Sequence, residues 1–345
     1  MVGHVLRRIV FRAPALAQRC CHGEAQPPNK DAIERKMRRY TISRYVYYVR
    51  RFEHTLEKNF PSAMHVYRVF VVGIKDFYED LKEFLSIARW ISKRGTDGLS
   101  RRELELHFQM PKDMIRVAPV LLISALPFAN YVIFPLAYIF PRHLLSRHFW
   151  SLQQRVDFAA IALRKRLYNQ RPVLRCLQTR LDDLDEGDLR NRWAHIVGLL
   201  GSGSHPNLQQ IENVRDLFAE IQPFGLAGLW ANHKNALVRL HGMHMGWRRR
   251  KRLRDRAKIL REMDFMMAQE GVTVMSNDEL RNACFLRGLN PVNVKTEDLV
   301  LWLHKWTLVS GNVDDDHLSL ILHLPILIGY NQPSNWVLLY QHKNM

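Results

Sequence analysis

The residues with the strongest chemical character in this sequence are cations. Between Trp247 and Arg261 the chain runs WRRRKRLRDRAKILR, in which nine of fifteen residues are basic: Arg248, Arg249, Arg250, Lys251, Arg252, Arg254, Arg256, Lys258 and Arg261. Asp255 is the one acid in the run. As a helix it carries only a narrow apolar stripe, Leu253, Ala257 and Leu260, and leaves an almost continuous cationic surface. Such a surface suits RNA phosphates, whose neutralisation releases counterions. It equally suits anionic lipid, at about 1 kcal/mol per basic residue near the membrane. A solvated helix face and a nuclear-localisation run are the other readings of the same residues.

Catalytic chemistry finds little to build on. The chain has no GxGxxG, Walker loop, HExxH or GxSxG elbow. His241 and His244 could offer two metal ligands, but no third is signalled nearby. The acidic runs Asp182–Asp188 and Asp314–Asp316 lack the closing Glu of a calcium loop. Gly201–Ser204 has no following Lys-Ser/Thr and no preceding strand, so it is a connector. Cys20, Cys21, Cys176 and Cys284 form no CxxC pair, as free thiols of a reducing compartment or core residues would not. The expectation is a protein that is not an enzyme and holds no cofactor or metal.

The segment Val117–Pro141 (VAPVLLISALPFANYVIFPLAYIFP) is 25 residues without a charge, between Arg116 and Arg142. About 20 apolar residues suffice to cross a bilayer core, so a single transmembrane helix is expected here. Pro119, Pro127 and Pro135 recur eight residues apart and Pro141 closes the segment. Each interior proline frees a carbonyl that must find a partner in lipid, which suggests a kinked span and self-association or a membrane partner. The basic flanks balance, so charge does not orient the span. Leu318–Tyr330 is too short for a second span and is expected as a buried helix.

Lys and Arg total 51 against 33 Asp and Glu, a formal charge of +18, divided +10 ahead of the apolar segment and +8 from it onward. The surplus is global and points to anionic partners. Arg7, Arg8, Arg12 and Arg19 stand among apolar residues with no acid in the first 23 positions, the pattern of a mitochondrial transit peptide. Residues 1–26 are therefore expected as a presequence and 27–113 as an N-terminal helical segment. The span follows at 114–141, then a helical domain at 142–332 and a tail at 333–345. Aromatic and basic residues alternate up to about Arg94, and Phe70, Ile74, Phe77, Leu81 and Phe84 mark one helix face. Ser276 or Asn277 should cap one helix, and Thr296-Glu297-Asp298 should open the next. With no alternating strands competing, the fold class is all-α.

Two blocks resemble the LETM family of mitochondrial inner-membrane proteins. The first runs from Leu126-Pro127-Phe128-Ala129-Asn130-Tyr131 through Phe140-Pro141-Arg142-His143-Leu144-Leu145 to Arg147-His148-Phe149-Trp150. The second is Glu270-Gly271-Val272, Glu279-Leu280-Arg281-Asn282-Ala283-Cys284-Phe285-Leu286-Arg287-Gly288-Leu289, Glu297-Asp298 and Trp302…Trp306. The resemblance covers roughly residues 105–330 and is strongest to the shorter members. It implies a matrix-facing, ribosome-binding helical domain likened in shape to 14-3-3 proteins. Docking of mitochondrial ribosomes and cation–proton exchange with volume control are the activities it implies. The long members carry an intramembrane acid where this chain has Asn130, which cannot carry a proton by ionising. A membrane adaptor for the ribosome, supporting membrane-protein biogenesis, is therefore expected ahead of a component of a cation transporter.

Overall fold

The computed structural model describes residues 61–96, 98–124 and 130–340; for 61–71, 124, 130–132, 134 and 135 it describes the backbone alone. The presequence, Cys20, Cys21, Pro127 and Phe128 lie outside the described residues. Asn130 and Pro135 are placed by backbone only. Among the described residues the fold is all-helical, without strands.

Helices α1 (Pro61–Arg94), α2 (Arg101–Ser124), α3 (Asn130–Ile139) and the single turn α4 (Pro141–Leu144) come first. They are followed by α5 (Leu152–Leu167), α6 (Gln170–Thr179), α7 (Asp188–Gly201) and α8 (Leu208–Glu212). The chain continues with α9 (Ala231–Leu240), α10 (Arg249–Glu270), α11 (Asn277–Arg287), α12 (Thr296–Ser310), α13 (Leu318–Leu327) and α14 (Pro333–Tyr340). Side-chain caps start several of them. Ser151 closes a capping box with Gln154, Asn207 with Gln210 and Ser276 with Glu279, each box satisfying orphan N–H groups at the helix start. Helix α12 has Glu297 and Asp298 in its first turn as expected, but the preceding Lys295 is its cap position and makes no side-chain bond.

The core forms around α13. All ten residues from Leu318 to Leu327 are buried, the buried helix expected of this stretch. Its Leu and Ile side chains share one cluster with Trp193, Phe218, Phe224, Leu237, Leu253, Leu260, Leu303 and Trp306. Helix α10 lies across the domain and packs on α13, α12, α2 and α9. Residues 333–340, expected as part of a tail, form α14 instead. Its Asn335 is fully buried, donating to the carbonyls of Gly288 (3.1 Å) and Gly329 (2.9 Å) and accepting from the Asn290 N–H (2.8 Å). A neutral amide with all these groups satisfied is stable in a core.

The apolar segment takes a form other than the single crossing expected of it. Among the described residues no helix is long and apolar enough to cross a membrane. Helix α2 ends at Ser124, α3 begins at Asn130, and the two pack on each other. Val117 and Ala137, 20 positions apart, share one buried cluster with Leu145 and Phe149. Twenty helical residues in line would separate those two by about 30 Å, so the segment doubles back as a hairpin. Helices α1 and α2 and the turn between them, which a single crossing would place across a membrane from the domain, contribute Ile87, Leu104, Leu106 and, from the turn, Leu99 to a cluster with Met263 of α10.

Candidate polyanion interface and the cleft beside it

Helix α10 brings the nine candidate cations together and then sorts them. Arg248 precedes the helix in a left-handed conformation (φ 55°) with no side-chain cap, and no acidic residue stands in the first turn. Arg248, Arg249, Arg250 and Lys251 are exposed. Their one side-chain hydrogen bond among the described residues runs from Arg249 to the neutral side chain of Asn235. Trp247 beside them is 92% exposed. Three features of this helix start work against stability. A helix N-terminus carries partial positive charge and favours acids, a non-glycine left-handed residue costs roughly 1–2 kcal/mol, and like charges repel.

The rest of the run is engaged within the protein. Arg252 donates to the carbonyl (2.8 Å) and the Nδ1 (3.0 Å) of His244. Arg254 pairs with Glu220. Arg261 and Lys258 meet Asp315 at 2.7 and 3.8 Å. Arg256 departs furthest from the expected cationic surface, being only 4% exposed. The stripe of Leu253, Ala257 and Leu260 is wider than its residue types indicate, because four helices surround α10 and take Arg256 in with it.

Arg256 faces a cleft of about 1210 Å³. Its guanidinium stands 4.3 Å from the Phe108 ring centroid, and the Lys112 ammonium stands 3.5 Å from the same centroid. Burial and the like charges of Arg166 and Arg287 push the Arg256 guanidinium down to about 9. Desolvation by surrounding protein, then the charges of Arg256, Arg166 and Arg116, push the Lys112 ammonium down to about 7. Lys112 is nevertheless exposed to the cleft, so water tempers the desolvation and the neighbouring cations are the firmer cause. Arg166 is held by carbonyls at two helix C-termini, those of Leu240 (2.9 Å), Phe285 (2.7 Å) and Leu286 (3.0 Å), where helix dipoles favour a cation. Gly288, beside this guanidinium, ends α11 in a left-handed conformation (φ 97°) that favours glycine.

Three further groups escaped sequence reasoning. Arg101, 4% exposed, meets Glu105 (2.9 Å), Glu279 (2.8 Å) and Glu270 (3.5 Å), tying α2 to α10 and α11. Two of these acids belong to the second resemblance block, and only the missing arginine would have explained them. Asp113 is fully buried against Arg147 (3.6 Å) and Arg116 (3.9 Å); burial pushes its carboxyl up and those cations hold it back. Arg287 donates from Nε (2.8 Å) and Nη2 (2.5 Å) to Asp264, whose second oxygen accepts from Trp306 (2.7 Å).

Of the metal candidates, His241 is buried and donates to the Leu322 carbonyl (2.9 Å), while His244 is occupied by Arg252. No group of three His, Cys, Asp or Glu suited to a metal occurs among the described residues. Cys284 is buried, which pushes its thiol up to about 12, and Cys176 is half-buried.

The family described as "LETM1-like, RBD" matches residues 99–327, two thirds of the sequence and the whole stretch from α2 to α13. The chain belongs to the LETM1-like family. LETM1 domain-containing protein 1 of Xenopus tropicalis is 33% identical over 286 residues, 81% of each chain. The human protein of that name is 29% identical over 286 residues, covering 81% of this chain and 79% of its own. The Bos taurus one is 28% identical over 335 residues, 95% of this chain and 92% of its own. The LETM1-like region thus contains the basic helix, the apolar hairpin and all of the cleft's lining except Asp76, Glu79 and Asp80 of α1.

Proposed function

We propose that this LETM1-like chain is an adaptor of the mitochondrial inner membrane whose helical domain docks on the mitochondrial ribosome from the matrix side and supports membrane-protein biogenesis and respiration. Arg248, Arg249, Arg250 and Lys251 are the docking residues. The observation that carries the proposal is their position: four exposed cations at a helix start, where local energetics favours acids, without a carboxylate partner among the described residues. A sequence selected for stability alone would not keep them there. The family description and the resemblance, which implies a ribosome-binding domain, support the same reading. No catalytic step is part of it. Full-length protein should co-sediment with purified mitochondrial ribosomes without added membrane, and changing the four cations to Gln should abolish this. Retention of the variant by ribosomes would refute the assignment.

The proposed membrane anchor is the apolar hairpin within 114–141. Ile115 (74%), Leu122 (73%) and Tyr138 (67%) are largely exposed, as apolar residues of a membrane-embedded hairpin would be. With residues 1–26 as the import signal, α1 and the domain then lie on the same, matrix side. Cysteines placed singly at the exposed positions Ser92 and Lys305 should both resist an impermeant thiol reagent in mitoplasts and react once the inner membrane is opened. Labelling of the Ser92 position alone in intact mitoplasts would mean a single crossing instead.

A further inference from the structure

The cleft beside α10 has a charge balance that the docking assignment leaves unused. Among the described residues nine Lys and Arg line it against four Asp and Glu. Two of the acids are already paired. Glu105 serves Arg101, and Asp80 is bound by Arg147 (3.3 Å) and His148 (2.8 Å). Asp76 and Glu79 belong to α1, and no ion pair joins them to Lys112 or Arg256. Asp264, the buried carboxylate near Arg256, has both oxygens occupied by Arg287 and Trp306.

Arg256 is therefore a guanidinium 4% exposed whose Nε and Nη1 have no hydrogen-bond partner among the described residues. A buried charged donor without a partner is expensive, and proteins seldom keep one without a use. Lys112 shares its aromatic ring, so the two cations are no further apart than about 8 Å, the two ring distances laid end to end, within the reach of unscreened repulsion. Arg166 adds a third charge on the adjoining wall and is immobilised by its carbonyls. Like charges held together in this way are what an oxyanion site requires: fixed donors arranged before the anion arrives.

We propose that the cleft between α2, α5 and α10 is a binding site for a phosphate group, with Arg256 and Lys112 as its cationic ligands and Arg166 fixing the inner wall. A phosphate carries more charge and more acceptor oxygens than a carboxylate, matching two neighbouring cations, of which the exposed Lys112 offers its ammonium donors directly to the cleft. The phosphate comes either from a phospholipid headgroup or from free phosphate. The cleft volume far exceeds a lone phosphate and leaves room for the remainder of a headgroup. Arg116 and Arg142, which bracket the apolar segment, line the same cleft and place it at the root of the hairpin.

The test uses full-length protein in detergent, with inorganic phosphate titrated against chloride at constant ionic strength and Tm as the readout. Phosphorus NMR of extracts from the purified protein, in parallel, counts retained phospholipid. The variants are Arg256→Met and Lys112→Gln; the latter changes an exposed position and keeps the test informative if the former fails to fold. A saturable rise in Tm with phosphate, its midpoint shifted about tenfold or more by either variant, supports the site and names free phosphate as the source. No response to phosphate, with retained phospholipid that either folded variant loses, supports the site and names the headgroup. Absence of both signals, or signals unchanged in the folded variants, overturns the proposal.

Discussion

The two halves of α10 solve opposite problems. Its second half is built for stability: Asp264 takes two guanidinium donors and an indole donor, all buried, and the Arg287 fork is further satisfied by the Ala283 carbonyl at 3.0 Å. Its first half gathers Arg248, Arg249, Arg250 and Lys251 at the helix end that repels them and gives them no acid. Arg256 lies between, buried like Arg287 yet without Arg287's partners. Satisfied buried charge maintains a fold; a buried charge without hydrogen-bond partners costs it stability.

The largest expected effect tests the domain core that the second half supports. His323 donates through Nδ1 to the Ser319 carbonyl (2.7 Å), so its Nε2 accepts from His233 at 2.9 Å and both rings are neutral. Burial pushes His323 down to about 4 and His233 to about 2, and holds His241 well below its usual range. Their unfolded value is about 6.5, so below that pH the unfolded chain binds more protons. Stability is then complete above pH 6.5 and is lost as pH falls from 6.5 towards 4. Each histidine removes up to about 1.4 kcal/mol per pH unit. Denaturation at pH 7 and pH 5 should differ by several kcal/mol; equal midpoints would mean these rings are not buried neutral.

Next in size, Asp264→Ala should cost about 3–5 kcal/mol by leaving Arg287 buried and alone. Asp264→Leu with Arg287→Met should recover much of that loss, since replacing both partners removes the unpaired charge. A double variant as unstable as the single one would show that the pair does more than neutralise itself. The smallest effect concerns the first half. Replacing Arg248, Arg249, Arg250 and Lys251 by Gln should leave stability unchanged or raise it by about 1 kcal/mol, because dipole and mutual repulsion are relieved. A marked fall in Tm would make these residues structural.

Much of this was legible in residue patterns. The buried helix within Leu318–Tyr330 followed from its length and apolarity; a cap at Ser276 or Asn277 followed from the residue types, and the structure selects Ser276. The nine cations of the basic run were visible, but their sorting was not. Arg256 and Lys251 are alike in sequence, and only the packing of α2 across α10 separates them. The hairpin was hidden for a related reason: 25 uncharged residues satisfy a length criterion whether the chain continues or turns back, and the reversal shows only in the one buried cluster that Val117 and Ala137 share. Long-range partners such as Arg101 with Glu270 and Glu279 leave no local signature at all.

The salt dependence of ribosome binding tests the central claim most directly. For an RNA-facing patch the logarithm of affinity falls linearly with the logarithm of salt concentration, by about 0.7–0.9 per phosphate contact. Full-length protein titrated against purified mitochondrial ribosomes in membrane-free buffer should show such a slope. The variant carrying Gln at 248, 249, 250 and 251 should show a slope flatter by about three units, with unchanged helical content. An identical slope in both proteins, or no ribosome binding at low salt alongside tight binding to cardiolipin vesicles, would contradict the assignment of this helix end to the ribosome.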